Sequence, residues 1–207
     1  MMAIYGIPLS LFSLISRTTS LANELEAGGM PAPASNLTAR IKRLENDVCS
    51  WNMQEAITAE TSLQHDDNVL SPSLNGEMLK LVVLAIHNSL ILYFYRRIHN
   101  VNPMILQPYV DRVIENLEKM ERHKLESSIL NTSIIWPGFM AAVEARGSLR
   151  RHAALDWLKK TAKASGWRSF DTASRVTEEL WRVQREENPD ATWVDVLRGK
   201  GTILVLT

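Results

Sequence analysis

Apolar side chains recur every three or four residues along most of the chain, which is the spacing of amphipathic α-helices. Leu11, Leu14 and Leu21 set this pattern near the amino terminus. They predict a first helix from about Pro8 to Glu26, because proline is favoured at helix starts and a pair of glycines follows directly. A looser apolar stripe predicts a second helix from about Leu37 to Gln64, with one side in water.

The stretch from Glu77 to Ile98 is apolar on almost every side. Such a sequence is typical of a helix in the middle of a core. The preceding residues, about 65–76, are rich in Asp, Asn and Pro and end on Gly76, so they predict a mobile loop. The pair Asn102–Pro103 predicts the break that follows the central helix.

Helical spacing continues to the carboxyl-terminal part of the chain. Leu106 to Met120 predicts one helix, with Pro108 in its first turn, where a missing amide proton costs little. Three more helices are predicted, namely Gly138–Ala145, a helix from Leu149 through Thr161 ended by Gly166, and a helix with Asp171 as its N-cap that carries Val176, Leu180 and Val183.

Thr192 and Asp195 have the spacing of a capping box and predict a last short helix. The tail Ile203–Leu206 is predicted to form either a short strand or a buried hook. Together these elements predict an all-α fold. It is a layered array of about eight helices in a single domain that spans residues 1–207.

Charge argues against nucleic acid or a membrane as the partner of this chain. Lys plus Arg and Asp plus Glu number 23 each, so there is no overall attraction for a polyanion or an anionic lipid surface. The basic excess after Gly147 is interpreted as a solvated helix surface with mixed charges. Leu81 to Tyr95 is too short to span a bilayer and carries His87, so no membrane segment is expected.

Motifs for catalysis or metal binding are missing from the sequence. The 5 histidines form no His-Glu-x-x-His pair, and the single cysteine, Cys49, rules out a cysteine-rich zinc site. Gly199–Thr202 resembles a phosphate loop only superficially, because Gly201 stands where Ser or Thr must follow the lysine. The sequence therefore predicts no catalytic, cofactor-binding or metal-binding residue, no cofactor and no enzyme activity.

An alternative interpretation remains open at this point. His87, Tyr93 and the tryptophans of the last third could line an apolar pocket in a small helical metabolite-binding protein or enzyme. Burial trends favour a hydrogen-bonded core histidine at position 87 over a ligand-binding one. The tryptophans are equally suited to holding a carboxyl-terminal subdomain together, and they are Trp136, Trp157, Trp167, Trp181 and Trp193.

Several segments, taken in order, resemble a known protein family. They are Leu84–His99 with Asn100–Pro103, Leu106–Val110, Trp136–Phe139 with Glu144–Ala145, Ala164–Phe170, and Tyr5–Pro8 with Leu11–Phe12 and Ile15–Thr18. Together they resemble the fungal-specific transcription factor domain of zinc-binuclear-cluster regulators. Within it, they resemble the branch that contains regulators of arginine metabolism and of acriflavine sensitivity. The resemblance covers nearly the whole chain.

The resemblance implies an α-helical regulatory region of a nuclear transcription regulator. Its expected partners are proteins of the transcription machinery or a DNA-binding subunit, and its expected targets are a metabolic or secondary-metabolite gene cluster. With Cys49 alone, the six-cysteine zinc cluster of the family has no matching positions. Specific DNA binding by this chain is therefore not expected.

The resemblance also leads us to expect exposed apolar surface on this chain. The sequence begins where the family's helical domain is already under way, so surface that earlier helices cover in the family would be open here. We expect it near the helix that contains Leu81–Tyr95, covered either by a partner helix or by a second copy in a homodimer.

Overall fold

The computed structural model describes residues 7–28, 34–62, 74–127 and 134–201, and within these ranges the chain is all-α, as predicted. The described residues form nine α-helices, close to the expected number, and one short 3₁₀ helix. Their bounds are α1 Leu9–Glu26, α2 Ala34–Ser50, α3 Met53–Ser62, α4 Leu74–Arg97, the 3₁₀ helix Pro103–Leu106, α5 Gln107–Ser127, α6 Ile135–Glu144, α7 Ser148–Ser165, α8 Arg168–Glu186 and α9 Trp193–Lys200. The predicted tail at 203–206 and most of the predicted loop at 65–76 lie outside the described residues.

The central helix α4 is buried on two opposite sides. Val83, Leu90 and Phe94 are fully buried against α1 and α2. Ala85 and Leu92 are fully buried on the other side, against α5 and α6. An α-helix without a polar face can lie only between two layers of protein. The sequence of α4 therefore places it between two cores, as its apolar composition predicts.

The smaller core lies on the amino-terminal side of α4. Leu11, Leu14 and Leu21 on α1 pack with Leu44 and Val48 on α2, and all five are buried. They follow helical spacing on each helix, so each helix presents one apolar stripe to α4.

The larger core joins α4 to the five helices that follow it. Its bulkiest buried side chains include Phe139 on α6, Leu158 on α7, and Phe170 and Leu180 on α8. The short helix α6 is buried along nearly its whole length, so it lies at the centre of this layer. It begins at Ile135, earlier than the expected Gly138, because Pro137 falls within the first turn, where it needs no hydrogen bond.

The prediction of one continuous helix from Leu37 to Gln64 is wrong. The chain forms α2 and α3, separated by Trp51 and Asn52. Asn52 Oδ1 accepts hydrogen bonds from the backbone N–H groups of Gln54 (2.8 Å) and Glu55 (3.2 Å). This N-cap starts a new helix where the apolar pattern alone suggests continuation.

The prediction of Asp171 as an N-cap is also wrong, because α8 begins three residues earlier, at Arg168. Trp167 occupies the N-cap position, and its backbone N–H donates to Ser165 Oγ at 3.2 Å. Asp171 instead lies in the first turn, where a negative charge favours the helix, and it pairs with Arg175 at 3.2 Å.

Other local predictions are confirmed. Thr192 and Asp195 form both hydrogen bonds of the capping box at the start of α9. Gly166 adopts a left-handed conformation with φ 70° directly after α7, which is the backbone geometry that favours glycine. Pro108 lies in the first turn of α5, as expected.

The segment Gly76–Arg97 of α4 has the length and hydropathy of a membrane-crossing helix. Within its most apolar window, 67% of the residues are buried inside the protein. That burial is what a core helix of a globular domain shows, and it agrees with the interpretation of this stretch as a buried helix. The expectation of open apolar surface near Leu81–Tyr95 stays a prediction, because most of this stretch is buried while Leu84 is half-buried. Larger apolar exposure occurs elsewhere, at Ile105 (68%) and Leu149 (86%).

The contact between α6 and α7 gives a testable prediction. A Cβ atom added at Gly138 would lie 2.0 Å from Cζ3 of Trp157, whereas one added at Gly199 in α9 would meet nothing within 4 Å. We expect Gly138→Ala to lower the free energy of unfolding by about 1–3 kcal/mol, because a close-packed core resists added volume. Urea denaturation measures this.

Gly199→Ala is the matched control, and we expect it to leave stability unchanged or raise it by up to about 1 kcal/mol through helix propensity. Equal stability of the Gly138→Ala variant and the wild type would contradict the packing described for α6.

Candidate docking groove

A buried ion pair fixes the carboxyl end of α4 to that of α6. Arg96 Nε donates to Glu144 Oε2 at 2.8 Å, and the two side chains are only 12% and 7% exposed. Arg96 also donates to the backbone carbonyl of Val101 at 2.6 Å, which holds the turn after α4 in place. A positive side chain in the last turn of α4 also complements the negative end of the helix dipole.

The start of α5 is held at the same junction. Gln107 Nε2 donates to the carbonyl of Glu144 at 3.0 Å, and Gln107 Oε1 accepts the backbone N–H of Arg146 at 2.8 Å. Burial raises the pKa of Glu144, and this outweighs the opposing effects of Arg96 and Arg146. An ion pair and several hydrogen bonds at this junction therefore fix the ends of α4, α5 and α6 relative to one another.

An open groove runs between the amino-terminal half of α4 and the carboxyl-terminal half of α5. Its volume is about 500 Å³. Leu81 and Leu84 line it from α4 as its apolar residues, of which Leu81 is buried and Leu84 is half-buried. Its polar and charged lining residues are Glu77, Lys80, Asn116, Lys119, Arg122 and His123.

The groove carries more positive than negative charge. Among the described lining residues, Lys80, Lys119 and Arg122 face one carboxylate, that of Glu77. Lys119 is paired with Glu115 at 2.6 Å, one turn earlier on α5, and this pairing lowers the pKa of Glu115. Lys80 and Arg122 are exposed and form no ion pair within residues 7–28, 34–62, 74–127 and 134–201.

A second groove, of about 530 Å³, lies between α1 and α2. Ion pairs already cross between these helices. Arg17 pairs with Asp47 at 2.7 Å, and Arg40 contacts both carboxylate oxygens of Glu24, at 2.8 and 2.7 Å. The main cations of this groove are therefore engaged with acids of the protein itself.

His87 and Tyr93 have different surroundings among the described residues. His87 Nε2 lies 2.8 Å from the carbonyl oxygen of Val48, and burial lowers the pKa of this histidine. Tyr93 is buried on the side of the larger core, with its ring edge-on to Trp136 at 6.2 Å. The interpretation of His87 as a hydrogen-bonded core histidine is confirmed, and neither residue lines either of the two grooves.

The cluster around Cys49 joins α2 to α4. Cys49 Sγ lies 3.4 Å from Tyr95 Oη, which donates to Glu45 Oε1 at 3.0 Å. These hydrogen bonds, together with burial, raise the pKa of Tyr95, so the phenol stays a neutral donor. Across the part of the chain that the structure describes, no group of three or more His, Cys, Asp and Glu side chains could hold a metal ion.

The basic surface after Gly147 is mostly paired with acids, as predicted. Lys159 pairs with Glu178 at 2.7 Å, and Arg182 pairs with Glu179 at 3.1 Å. Arg198 reaches back to Glu26 at 2.8 Å. Glu26 also pairs with Arg97, whose guanidinium lies 6.0 Å from the ring centroid of Trp193. These contacts tie α9 to α1 and α4.

Sequence reasoning did not single out Lys80 or Arg122, and it named Glu144 only as part of a family segment. Each of them is an ordinary helix residue by spacing, and its importance arises from residues far away in the chain. Within the described residues, the fold and the site define the class of an all-α domain with open surface grooves.

Comparison with known proteins agrees with this class and makes it specific. The chain belongs to the family described as "Fungal specific transcription factor domain", whose model matches residues 1–207. This confirms the resemblance found in the sequence, and a transcription factor domain is not an enzyme.

A curated relative is similar over most of the chain. It is "Arginine metabolism regulation protein II" of Saccharomyces cerevisiae, 26% identical over 202 residues. The alignment covers 95% of this chain but only 22% of the relative's length. No solved structure matches the chain.

The buried ion pair gives a second testable prediction. We expect Arg96→Met to lower the free energy of unfolding by about 3–5 kcal/mol at neutral pH, because Glu144 then stays buried without its counter-charge. The raised pKa of Glu144 means that the folded chain binds this proton more readily than the unfolded chain. The destabilisation should therefore shrink as the pH falls through the raised pKa and Glu144 becomes neutral.

Denaturant titrations at several pH values measure both effects. Arg150→Met is the matched control, since its ion pair with Asp111 (2.6 Å) is exposed and should contribute little. The role assigned to Arg96 would be refuted by equal effects of the two substitutions at every pH.

Proposed function

We propose that this domain regulates transcription in the nucleus through contacts with protein partners, and that it does not read DNA sequence itself. Its partners are proteins of the transcription machinery or a separate DNA-binding subunit. Membership of the transcription factor family carries the proposal. The curated relative is named as a regulator of arginine metabolism, which supports metabolic genes as the targets.

Surface charge supports protein contacts over DNA contacts. A DNA-binding face needs Lys and Arg side chains that can approach phosphates. On the most basic part of the described chain, Lys159, Arg175, Arg182 and Arg198 are each paired with an acid of the same protein. Contact with phosphates would require these pairs to break.

Geometry also supports protein contacts over a small-molecule site. Binding sites for small molecules are concave and mostly apolar. The two grooves are open and lined largely by charged and polar side chains, whereas the aromatic residues Tyr93 and Trp136 pack against each other. These features disfavour the alternative of a metabolite-binding protein or enzyme.

Tethering the domain to DNA tests the proposal. Residues 1–207 are fused to an unrelated DNA-binding module and brought to a reporter promoter in a fungal cell. We expect reporter expression to differ from that with the module alone, because the domain brings its partners to the promoter. We also expect the purified chain to give no sequence-specific shift of duplex DNA.

A fusion with Phe139→Asp is the control, because this side chain is fully buried and a charge there should unfold the larger core. Equal reporter expression with the intact domain, the Phe139→Asp domain and the module alone would count against the proposal. So would selective binding of the purified chain to one DNA sequence.

A further inference from the structure

We propose that the groove between α4 and α5 binds an acidic amphipathic helix of a partner protein. The inference rests on the proposed function and deepens it, because it names the contact surface and the chemistry of the partner. It concerns the groove lined by Lys80, Leu81, Leu84, Lys119 and Arg122.

The shape of the groove suits a helix. Leu81 and Leu84 are one helical turn apart on α4 and provide apolar contact, while the antiparallel helix α5 forms the opposite wall. A helix that docks in such a groove presents apolar side chains at i, i+3, i+4 and i+7 along one face. The groove opens to the protein surface, from which a helix could approach it.

The charge of the groove selects an acidic partner. Lys80 and Arg122 lie on opposite walls, one on α4 and one on α5, and both are exposed. Neither forms an ion pair with another described residue, and among the described lining residues Glu77 alone carries a carboxylate. Acidic residues beside the apolar face of a bound helix would reach both cations, which steers association and fixes orientation.

The groove between α1 and α2 does not have unpaired cations on both of its walls. Two of its three lining cations, Arg17 and Arg40, are engaged with Asp47 and Glu24, so an acidic partner would have to compete with charged hydrogen bonds that already exist. The third, Arg43, donates to the backbone carbonyl of Ala39 at 3.3 Å and lies on α2 alone. The α4–α5 groove is the better acceptor of negative charge for this reason.

A second copy of the chain fits the α4–α5 groove less well than an acidic helix. In a symmetric dimer that joins groove to groove, the same patch faces itself, so Lys80 and Arg122 of each copy would meet the same cations of the other. Like charges brought together in an interface oppose association.

Fluorescence anisotropy with synthetic peptides tests the inference on the full chain. The probe is a labelled peptide with Leu at i, i+3, i+4 and i+7 and Glu at the flanking positions. We expect it to bind the wild type. The double variant Lys80→Glu with Arg122→Glu should bind it at least about tenfold more weakly, because acids then face acids.

The control variant makes the same change of charge elsewhere. Lys42→Glu with Lys163→Glu alters two exposed lysines outside both grooves, and we expect affinity to change by less than about twofold. The apolar contact is tested with Leu84→Ala, which should also weaken binding. A peptide with Lys in place of every Glu should bind the charge-reversed groove variant and not the wild type.

Four results would overturn the inference. Two of them concern the peptide, namely equal binding of the acidic peptide by the groove and control variants, and equal binding of a scrambled peptide of the same composition. The third is a dimer in sedimentation that the groove variant alone disperses. The fourth is peptide binding that appears only after residues 63–73 are replaced by a Gly-Ser linker. The last two would assign the groove to a second copy or to the chain's own acidic segment.

The tethering experiment separates this inference from the proposed function. Regulation by the wild-type and groove-variant fusions alike, without peptide binding, would refute the groove and leave the regulatory role standing. Equal loss of regulation in a fusion with Lys42→Glu and Lys163→Glu and in the groove-variant fusion would refute the link between this groove and regulation.

Discussion

Burial of α4 on two opposite sides is the constraint on which the rest of the structure depends. A helix whose apolar side chains point in every direction must be covered in every direction, and α1 with α2 on one side and α5 with α6 on the other provide that cover. Val83 and Leu90 belong to one core, and Ala85 and Leu92 belong to the other. The two cores are therefore linked through the backbone of a single helix.

The polar contacts of α4 determine how its neighbours are placed. Arg96 joins α4 to α6 through Glu144, and Gln107 brings the start of α5 to the same point. Apolar packing alone is non-directional, so these hydrogen bonds supply the orientation that packing lacks. With α5 held at this end, its other half lies beside the first turns of α4, where the groove opens. The surface that we assign to a partner is thus a consequence of the core.

Local features could be predicted from the sequence, and long-range features could not. The apolar stretch of α4 and the capping box at Thr192 depend on residues close together in the chain, so both can be predicted from local sequence. The break at Asn52 was missed because the apolar stripe continues across it, while the cap depends on one side chain turning back to the backbone. Lys80 and Arg122 become neighbours only when α4 and α5 pack, and nothing in their local sequence marks them. The family resemblance could be found in the sequence because it rests on segments that follow one another along the chain. The partner chemistry of the groove could not be found there, because its charged residues come together only in the folded protein.

If α4 couples the two cores, they must unfold together. Native-state amide hydrogen exchange measures the free energy of opening for each helix, and helices of one cooperative unit share the same value. We expect the slowest amides of α1, α2, α6 and α8 to exchange with the same free energy as those of α4. Exchange of α1 and α2 at a markedly lower free energy than α6 and α8 would contradict the coupling of the two cores through α4.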